Sequence, residues 1–311
     1  MEKEVRAIQR LCGPGAHVNI VQVLNHGLLW DFPYYYIDME LCDMNLNDYI
    51  QSTTPADPSK LLPRFLKGGG PDSLLQIWTV MSQIASGVEY IHCEHQIHRD
   101  IKPGNGGPKP SVANLLVLYS SKSSVWKLAD FGLSTEGSSQ NRPTKYSSGT
   151  PGYRAPELMD SDGDPARVCN NKVDIWAMGC ILYELATGIR LFKSDWEVLS
   201  HRFSGNNIHV VLDDSFDTHS LETITKHIVD MLQIDPADRP SASFLSNEFN
   251  RQLQLAHHGV LLRATDSVTL EANSESHNDD EEEHVLESQK KTPLDLAEES
   301  PAEVYSTKLI R

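Results

Sequence analysis

No stretch of the 311 residues approaches the roughly 18 uninterrupted apolar side chains that a membrane helix needs. The opening Met1-Glu2-Lys3-Glu4-Val5-Arg6 lacks the apolar run of a secretory leader. Cysteine is sparse: Cys12, Cys42, Cys93, Cys169 and Cys180 are odd in number, scattered and never in C-x-x-C spacing, which speaks against a disulfide framework or a zinc knuckle. Reduced thiols and an intracellular setting, cytoplasmic or nuclear, are the expectation. Positive charge is also short, with 27 Lys and Arg against 43 Asp and Glu and a formal net charge of −16. Phosphate-backbone recognition needs clustered cations, so neither a nucleic-acid nor a membrane partner is expected. More than half of the negative excess lies between Asp266 and Arg311, where thirteen acidic side chains face four basic ones.

What is present is a globular composition, 39% hydrophobic, long enough to bury a sizeable core. Val5, Ile8 and Leu11 recur at helical spacing and stop at Cys12-Gly13-Pro14-Gly15, a helix-breaking run. Two β-rich runs, Ile20 to Leu24 and Tyr34 to Met39, predict a hairpin. Gln51 to Asp72 is rich in Pro, Gly, Ser and Thr and reads as a surface loop. A long amphipathic helix should follow, capped by Asp72 or Ser73 and buried along Leu74, Ile77, Trp78, Met81, Ile84, Val88 and Ile91. Val173 to Thr187 is apolar nearly all round, the pattern of a helix at a domain's centre. From about His257 the apolar periodicity fades into Ser, Asp, Glu and Asn, so disorder is expected there.

Three short segments carry the chemistry. In His98-Arg99-Asp100-Ile101-Lys102-Pro103-Gly104-Asn105, a Lys follows the Asp by two residues and an Asn follows it by five. Phosphoryl transfer to a hydroxyl needs a carboxylate to orient the nucleophile and accept its proton, a cation to offset charge on the moving group, and an oxygen ligand for metal. Asp100, Lys102 and Asn105 supply those in order. Asp130-Phe131-Gly132 follows the strand-like run Val125 to Ala129, so Asp130 stands where a second carboxylate can hold Mg²⁺ between phosphates. Downstream, Gly149-Thr150-Pro151-Gly152-Tyr153-Arg154-Ala155-Pro156-Glu157 ends in an A-P-E triplet.

In this order the segments resemble the eukaryotic-type Ser/Thr protein kinase family, over roughly residues 1 to 250. The resemblance implies an α+β, bilobal fold: an incomplete N-lobe (1–38, one helix and two strands), a hinge (39–45), a complete helical C-lobe (46–252) and an acidic tail (253–311). It implies ATP and Mg²⁺ as cofactors, Asp100, Lys102 and Asn105 as catalytic residues, and Asn105 with Asp130 as metal ligands. Glu4, with Glu2 as rival, resembles the glutamate that pairs with an ATP-positioning lysine. Met39 resembles the gatekeeper, and backbone groups of Glu40 and Cys42 would meet adenine. Asp174 is similar to the aspartate that braces the catalytic loop, and Glu157 with Arg239 to a buried ion pair. Lys102 and Gly149-Thr150 resemble the Ser/Thr branch, so Ser and Thr of protein substrates are the expected acceptors. Arg99 implies an activation segment orderable by phosphate, with Ser138, Ser139, Thr144, Ser147 and Ser148 as candidates.

Two departures stand out. The family's G-x-G-x-x-G loop and V-A-I-K lysine precede the helix that Glu4 occupies, and that helix opens this chain, so both are expected to be missing and activity weak or absent. Residues 106 to 116 look like an insertion between Asn105 and the following strand, and Asn114 is a rival metal asparagine. The alternative function is a pseudokinase or non-catalytic module that engages partners through the lobe surface and the acidic tail. A small-molecule phosphotransferase is disfavoured by the A-P-E segment and Arg239.

Overall fold

The computed structural model describes residues 2–13, 15–29, 34–51, 71–104, 117–137, 140, 142–143, 149–159, 168–205, 208–212, 216–275 and 305–310. Helix α1 (Glu2–Leu11) buries Ala7, Ile8 and Leu11, one face of its turns, and closes with Arg10 where the helix dipole favours a cation. Strands β1 (Val23–Leu28) and β2 (Tyr35–Glu40) pair antiparallel from Leu28 opposite Tyr35 to Val23 opposite Met39, with a bulge between Val23 and Asn25. The predicted hairpin is present, displaced a few residues toward the C-terminus. Ile20 instead bridges singly to Leu128.

The larger lobe begins with β3 (Met44–Asn45) and the short α2 (Leu46–Gln51). The long helix α3 (Pro71–Cys93) starts ahead of the expected cap at Asp72 or Ser73 and buries Ile77, Trp78, Met81, Ile84, Val88 and Ile91 of the expected stripe, with Leu74 half-buried. After it come β4 (Gln96–Ile97), β5 (Val117–Ser120), β6 (Val125–Leu128) and β7 (Thr135–Glu136), with β5 central in a β3-β5-β6 sheet and β4 paired to β7. Strands β8 (Arg142–Pro143) and β9 (Val168–Cys169) pair with each other and lead to α4 (Lys172–Thr187). Twelve of the sixteen residues of α4 are buried, which accounts for its apolar composition all round. Helices α5 (Asp195–Ser204), α6 (Thr218–Met231) and α7 (Ala242–Glu275) complete the lobe. Trp78 of α3 meets His227 of α6 and Phe249 of α7, with ring centroids 5.9 and 5.6 Å away.

The acidic tail departs from expectation at both ends. Helix α7 runs through the expected boundary at residue 252 to Glu275, and a last strand, β10 (Tyr305–Ile310), pairs antiparallel with β2 from Tyr305 opposite Glu40 to Ile310 opposite Tyr35. The smaller lobe therefore holds a three-stranded sheet, β1-β2-β10, in place of two strands. Composition averaged over the tail is too acidic to order itself. Six residues that include Tyr, Thr and Ile nevertheless suit a strand once another strand's edge is offered. Among the described residues, no helix is long and apolar enough to cross a membrane.

The two halves of the larger lobe are tied at Arg239. Its guanidinium donates to both carboxylate oxygens of Glu157, at 2.7 and 2.8 Å, and to the carbonyls of Lys172, Gln233 and Ile234. The group lies 5.0 Å from the Trp176 ring, and the Arg239 side chain is fully buried. Removing one partner leaves the other's charge buried without compensation. Glu157→Ala or Arg239→Ala should each lower unfolding free energy by about 3–5 kcal/mol. In urea titrations, a Glu157→Leu/Arg239→Met pair should lose less than either single variant.

Candidate active site

Strand β4 delivers the chain into His98-Arg99-Asp100, and α4 holds that loop from below. Asp174, 1% exposed, accepts the backbone N–H of His98 (2.9 Å) and of Arg99 (2.8 Å), and its Oδ2 also accepts His92 Nε2 at 2.9 Å. Burial works against the carboxylate's charge. The His92 hydrogen bond, the two imidazoles nearby and the Arg99 N–H outweigh it and hold the Asp174 carboxyl below the usual aspartate range. Arg99 needs this support because its backbone is left-handed, at φ 71°, a conformation a long L-side chain adopts only under constraint.

The His98 ring joins two of the sequence segments. Its Nε2 lies 3.0 Å from the Ala129 carbonyl, which can only accept, so Nε2 carries the proton and Nδ1 is left to accept the Asp100 N–H at 3.4 Å. The ring also lies 5.2 Å from that of Phe131. The loop bearing Asp100 and the turn bearing Asp130 are pinned together through one buried imidazole.

At Asp100 three side chains close a triangle. Thr150 donates its hydroxyl to Oδ1 at 2.6 Å, Lys102 Nζ donates to Oδ2 at 3.1 Å, and Lys102 also donates to the Thr150 hydroxyl oxygen. Gly149 makes the approach possible: it sits at φ 110°, and a Cβ there would fall 2.7 Å from the Arg99 carbonyl. An aliphatic hydroxyl is thus already hydrogen-bonded to the carboxylate, with an ammonium beside both.

Asp130 ends the run after β6 in a left-handed conformation, φ 63°, and its Oδ1 accepts the Gly132 N–H at 3.3 Å. The same oxygen accepts Lys308 Nζ at 2.8 Å, and that ammonium also donates to Glu4 Oε1 at 2.8 Å. Glu4 is the α1 acid turned to this point, whereas the side chain of its rival Glu2 lies outside the described residues. Lys308 is the residue sequence reasoning missed. Burial disfavours its charge, but the two carboxylates prevail and raise its pKa. The signal was there in a Lys amid Tyr305-Ser306-Thr307-Lys308-Leu309-Ile310, a β-prone run at the end of an acidic stretch.

Between the lobes lies a cleft of about 240 Å³ with Glu4, Asp130 and Lys308 among its walls. Val21, Leu118 and Ala129 form a small apolar cluster there, packed by Met39 and Cys42. The expected hinge residues Met39, Glu40 and Cys42 all line it. The Glu40 carboxylate is taken by Lys127 (2.9 Å) and the Gln22 N–H (2.8 Å), and its own N–H donates to the Gln22 carbonyl. Burial and the neighbouring Glu40 push the Cys42 thiol up to about 12, so it is a poor nucleophile. A flat apolar slot ending in a cation and carboxylates suits a planar base carrying phosphates.

Asn105, its rival Asn114, the 106–116 segment and the five candidate phosphorylation sites lie outside the described residues. Among the described residues, no cluster of three or more His, Cys, Asp or Glu could hold a metal ion. Asp130 is one of the hard oxygen donors lining the cleft, which fits Mg²⁺ because that ion takes one or two carboxylates and completes its shell with phosphates and water.

A family model described as protein kinase domain matches residues 1–249. Among curated proteins the chain is 32% identical over 177 residues to serine/threonine-protein kinase Nek5 of Mus musculus, covering 55% of this chain and 24% of that one. It is 29% identical over 199 residues to serine/threonine-protein kinase nekl-2 of Caenorhabditis elegans, covering 62% and 48%. It is also 26% identical over 245 residues to a Mus musculus protein named inactive serine/threonine-protein kinase PLK5, covering 79% and 34%. The chain thus spans less than half the length of each of these relatives.

Asp174→Asn keeps the shape but removes the charge that accepts two backbone N–H groups, and should cost roughly 1.5–3 kcal/mol at neutral pH. A carboxyl whose folded pKa is depressed stabilises above its unfolded value and loses that contribution as pH falls through the folded one. The gap between the two proteins in denaturant midpoint should therefore be full above about pH 4 and shrink below it.

Proposed function

The chain belongs to the protein kinase family, and from that premise we propose that it transfers the γ-phosphoryl group of ATP to Ser or Thr hydroxyls of protein substrates. Kinases of this family generally use ATP with Mg²⁺. The observation that carries the reading is the Asp100–Lys102–Thr150 triangle, tied through His98 to the Asp130 turn at the cleft.

The acceptor hydroxyl would take the place beside Asp100 where a hydroxyl group is already accommodated. Its proton passes to the Asp100 carboxylate as its oxygen bonds to the γ-phosphorus. The bond from that phosphorus to the bridging β,γ-oxygen breaks, and ADP leaves with the electron pair. Lys102, whose ammonium is hydrogen-bonded to Asp100, balances charge on the moving phosphoryl group without taking part in proton transfer. Asp130, and Asn105 beyond the described residues, would hold Mg²⁺, which supplies neutralisation of the phosphate charge. The slot at Val21, Leu118 and Ala129 takes the adenine, with the backbone at Glu40 and Cys42 as its polar edge. An intracellular setting, cytoplasmic or nuclear, goes with this reading and with five free cysteines.

A second reading, a non-catalytic binding module, is favoured by the likeness to the Mus musculus protein named inactive serine/threonine-protein kinase PLK5. Phosphate incorporation into a generic Ser-rich protein, together with Mg-ATP calorimetry, separates the two. We expect measurable binding and turnover, with Asp100→Asn lowering turnover by about 10²–10⁴-fold and leaving binding nearly unchanged. Turnover that survives Asp100→Asn intact would remove the assignment.

A further inference from the structure

The cation at the phosphate end of the cleft comes from the far end of the chain. Lys308 and Glu4 are 304 residues apart in sequence, and Lys308 belongs to β10, an edge strand held by one neighbour, β2. Side chains alternate across a strand, so Lys308 and its opposite residue Ile37 face one way while Thr307 and Asp38 face the other. Exposure follows that alternation. Ile37 is buried and Lys308 mostly so, whereas Leu309 is 58% exposed. On the outer face the Thr307 hydroxyl donates to Asp38 Oδ1 at 2.6 Å, which fixes the register that aims Lys308 inward.

Among the described residues, few side-chain contacts hold the strand. Its ordering must be offset by one ladder of hydrogen bonds, by Thr307, and by the ion pairs of Lys308 with Glu4 and Asp130. Those two carboxylates both approach a single ammonium at 2.8 Å, so without it they would face one another with nothing between. Docking of the strand and the electrostatics of the cleft are one equilibrium. A polyanion that enters beside Lys308 adds to the attraction on one side only, the docked one, and by linkage must tighten the strand as the strand tightens it.

We infer that nucleotide binding in this chain is gated by its own C-terminal strand, Tyr305–Ile310, which docks on the edge of β2 and brings Lys308 to the phosphates. The inference rests on the kinase reading above and goes beyond it in naming the element that switches the site. The segment is tethered to the same molecule, which gives it a high effective concentration at β2 without requiring strong intrinsic affinity. Anything that captures Tyr305–Ile310 in another pairing lowers nucleotide affinity. Anything that seats it raises that affinity.

The test uses the full chain. Mg-ATP affinity by calorimetry should fall about tenfold or more in Lys308→Met and recover in part in Lys308→Arg. In the unaltered chain, Mg-ATP should slow amide exchange of β10 and β2 together, a readout independent of turnover. In a Cys93→Ser background, an Asp38→Cys/Thr307→Cys chain, whose positions face each other across β2 and β10, should cross-link within one molecule on oxidation and bind Mg-ATP at least as tightly as when reduced. Equal affinity in Lys308→Met and the unaltered chain would overturn the gate while leaving the kinase reading in place. Failure of the unaltered chain to bind Mg-ATP would overturn both. A cross-linked dimer would overturn the assignment of the strand to its own molecule.

Discussion

A buried carboxylate, Asp174, is the constraint on which the arrangement of the cleft depends. Helix α4 is surrounded by other elements, so the only way to keep an anion inside it is to surround that anion with donors. The donors are the N–H groups of His98 and Arg99 and the ring of His92. Satisfying Asp174 therefore folds the loop, forces Arg99 into a left-handed turn and sets the height of His98. Through its ring His98 then fixes Ala129 and Phe131, and with them the starting point of Asp130. One buried charge thus decides where Asp100 and Asp130 can stand.

How much of this could be read from residues alone depends on how local the cause is. Helices α3 and α4 were legible because burial imposes a period on their own residues, and Asp100, Lys102 and Asp130 because their spacing is set within one loop or turn. Thr150 was visible as a mark of the Ser/Thr branch, and not as a partner of Asp100. Its hydroxyl gains meaning when Gly149 lets the chain pass within contact of Arg99. Lys308 was legible only as a Lys in a β-prone run, because the fact that matters about it is a distance to Glu4 and Asp130, and nothing in the intervening sequence encodes that distance. The tail's composition pointed toward disorder, and for Tyr305–Ile310 an available strand edge overrode composition.

That edge also answers a structural problem. A hairpin of β1 and β2 alone would present β2 as an open row of backbone donors and acceptors, with the buried Ile37 beside it. Strand β10 covers the row, and its outward-facing Thr307 donates its hydroxyl to Asp38 of β2. Covering an edge and completing an ionic site are thus performed by the same six residues, which makes it difficult to alter either property alone.

The chain's separation of Lys308 from Glu4 has a consequence for biosynthesis. In synthesis α1 emerges long before β10, and the contacts among α3, α4 and α7 can all form while the later residues are still being added. The small sheet cannot be finished until Ile310 has cleared the exit tunnel. Closing so long a loop costs little more entropy than closing one of half the length, but it comes late in time. During each round of translation the chain passes through a stage with an assembled larger lobe and an unfinished cleft, the interval in which a folding assistant or an early-acting degradation machinery would meet it.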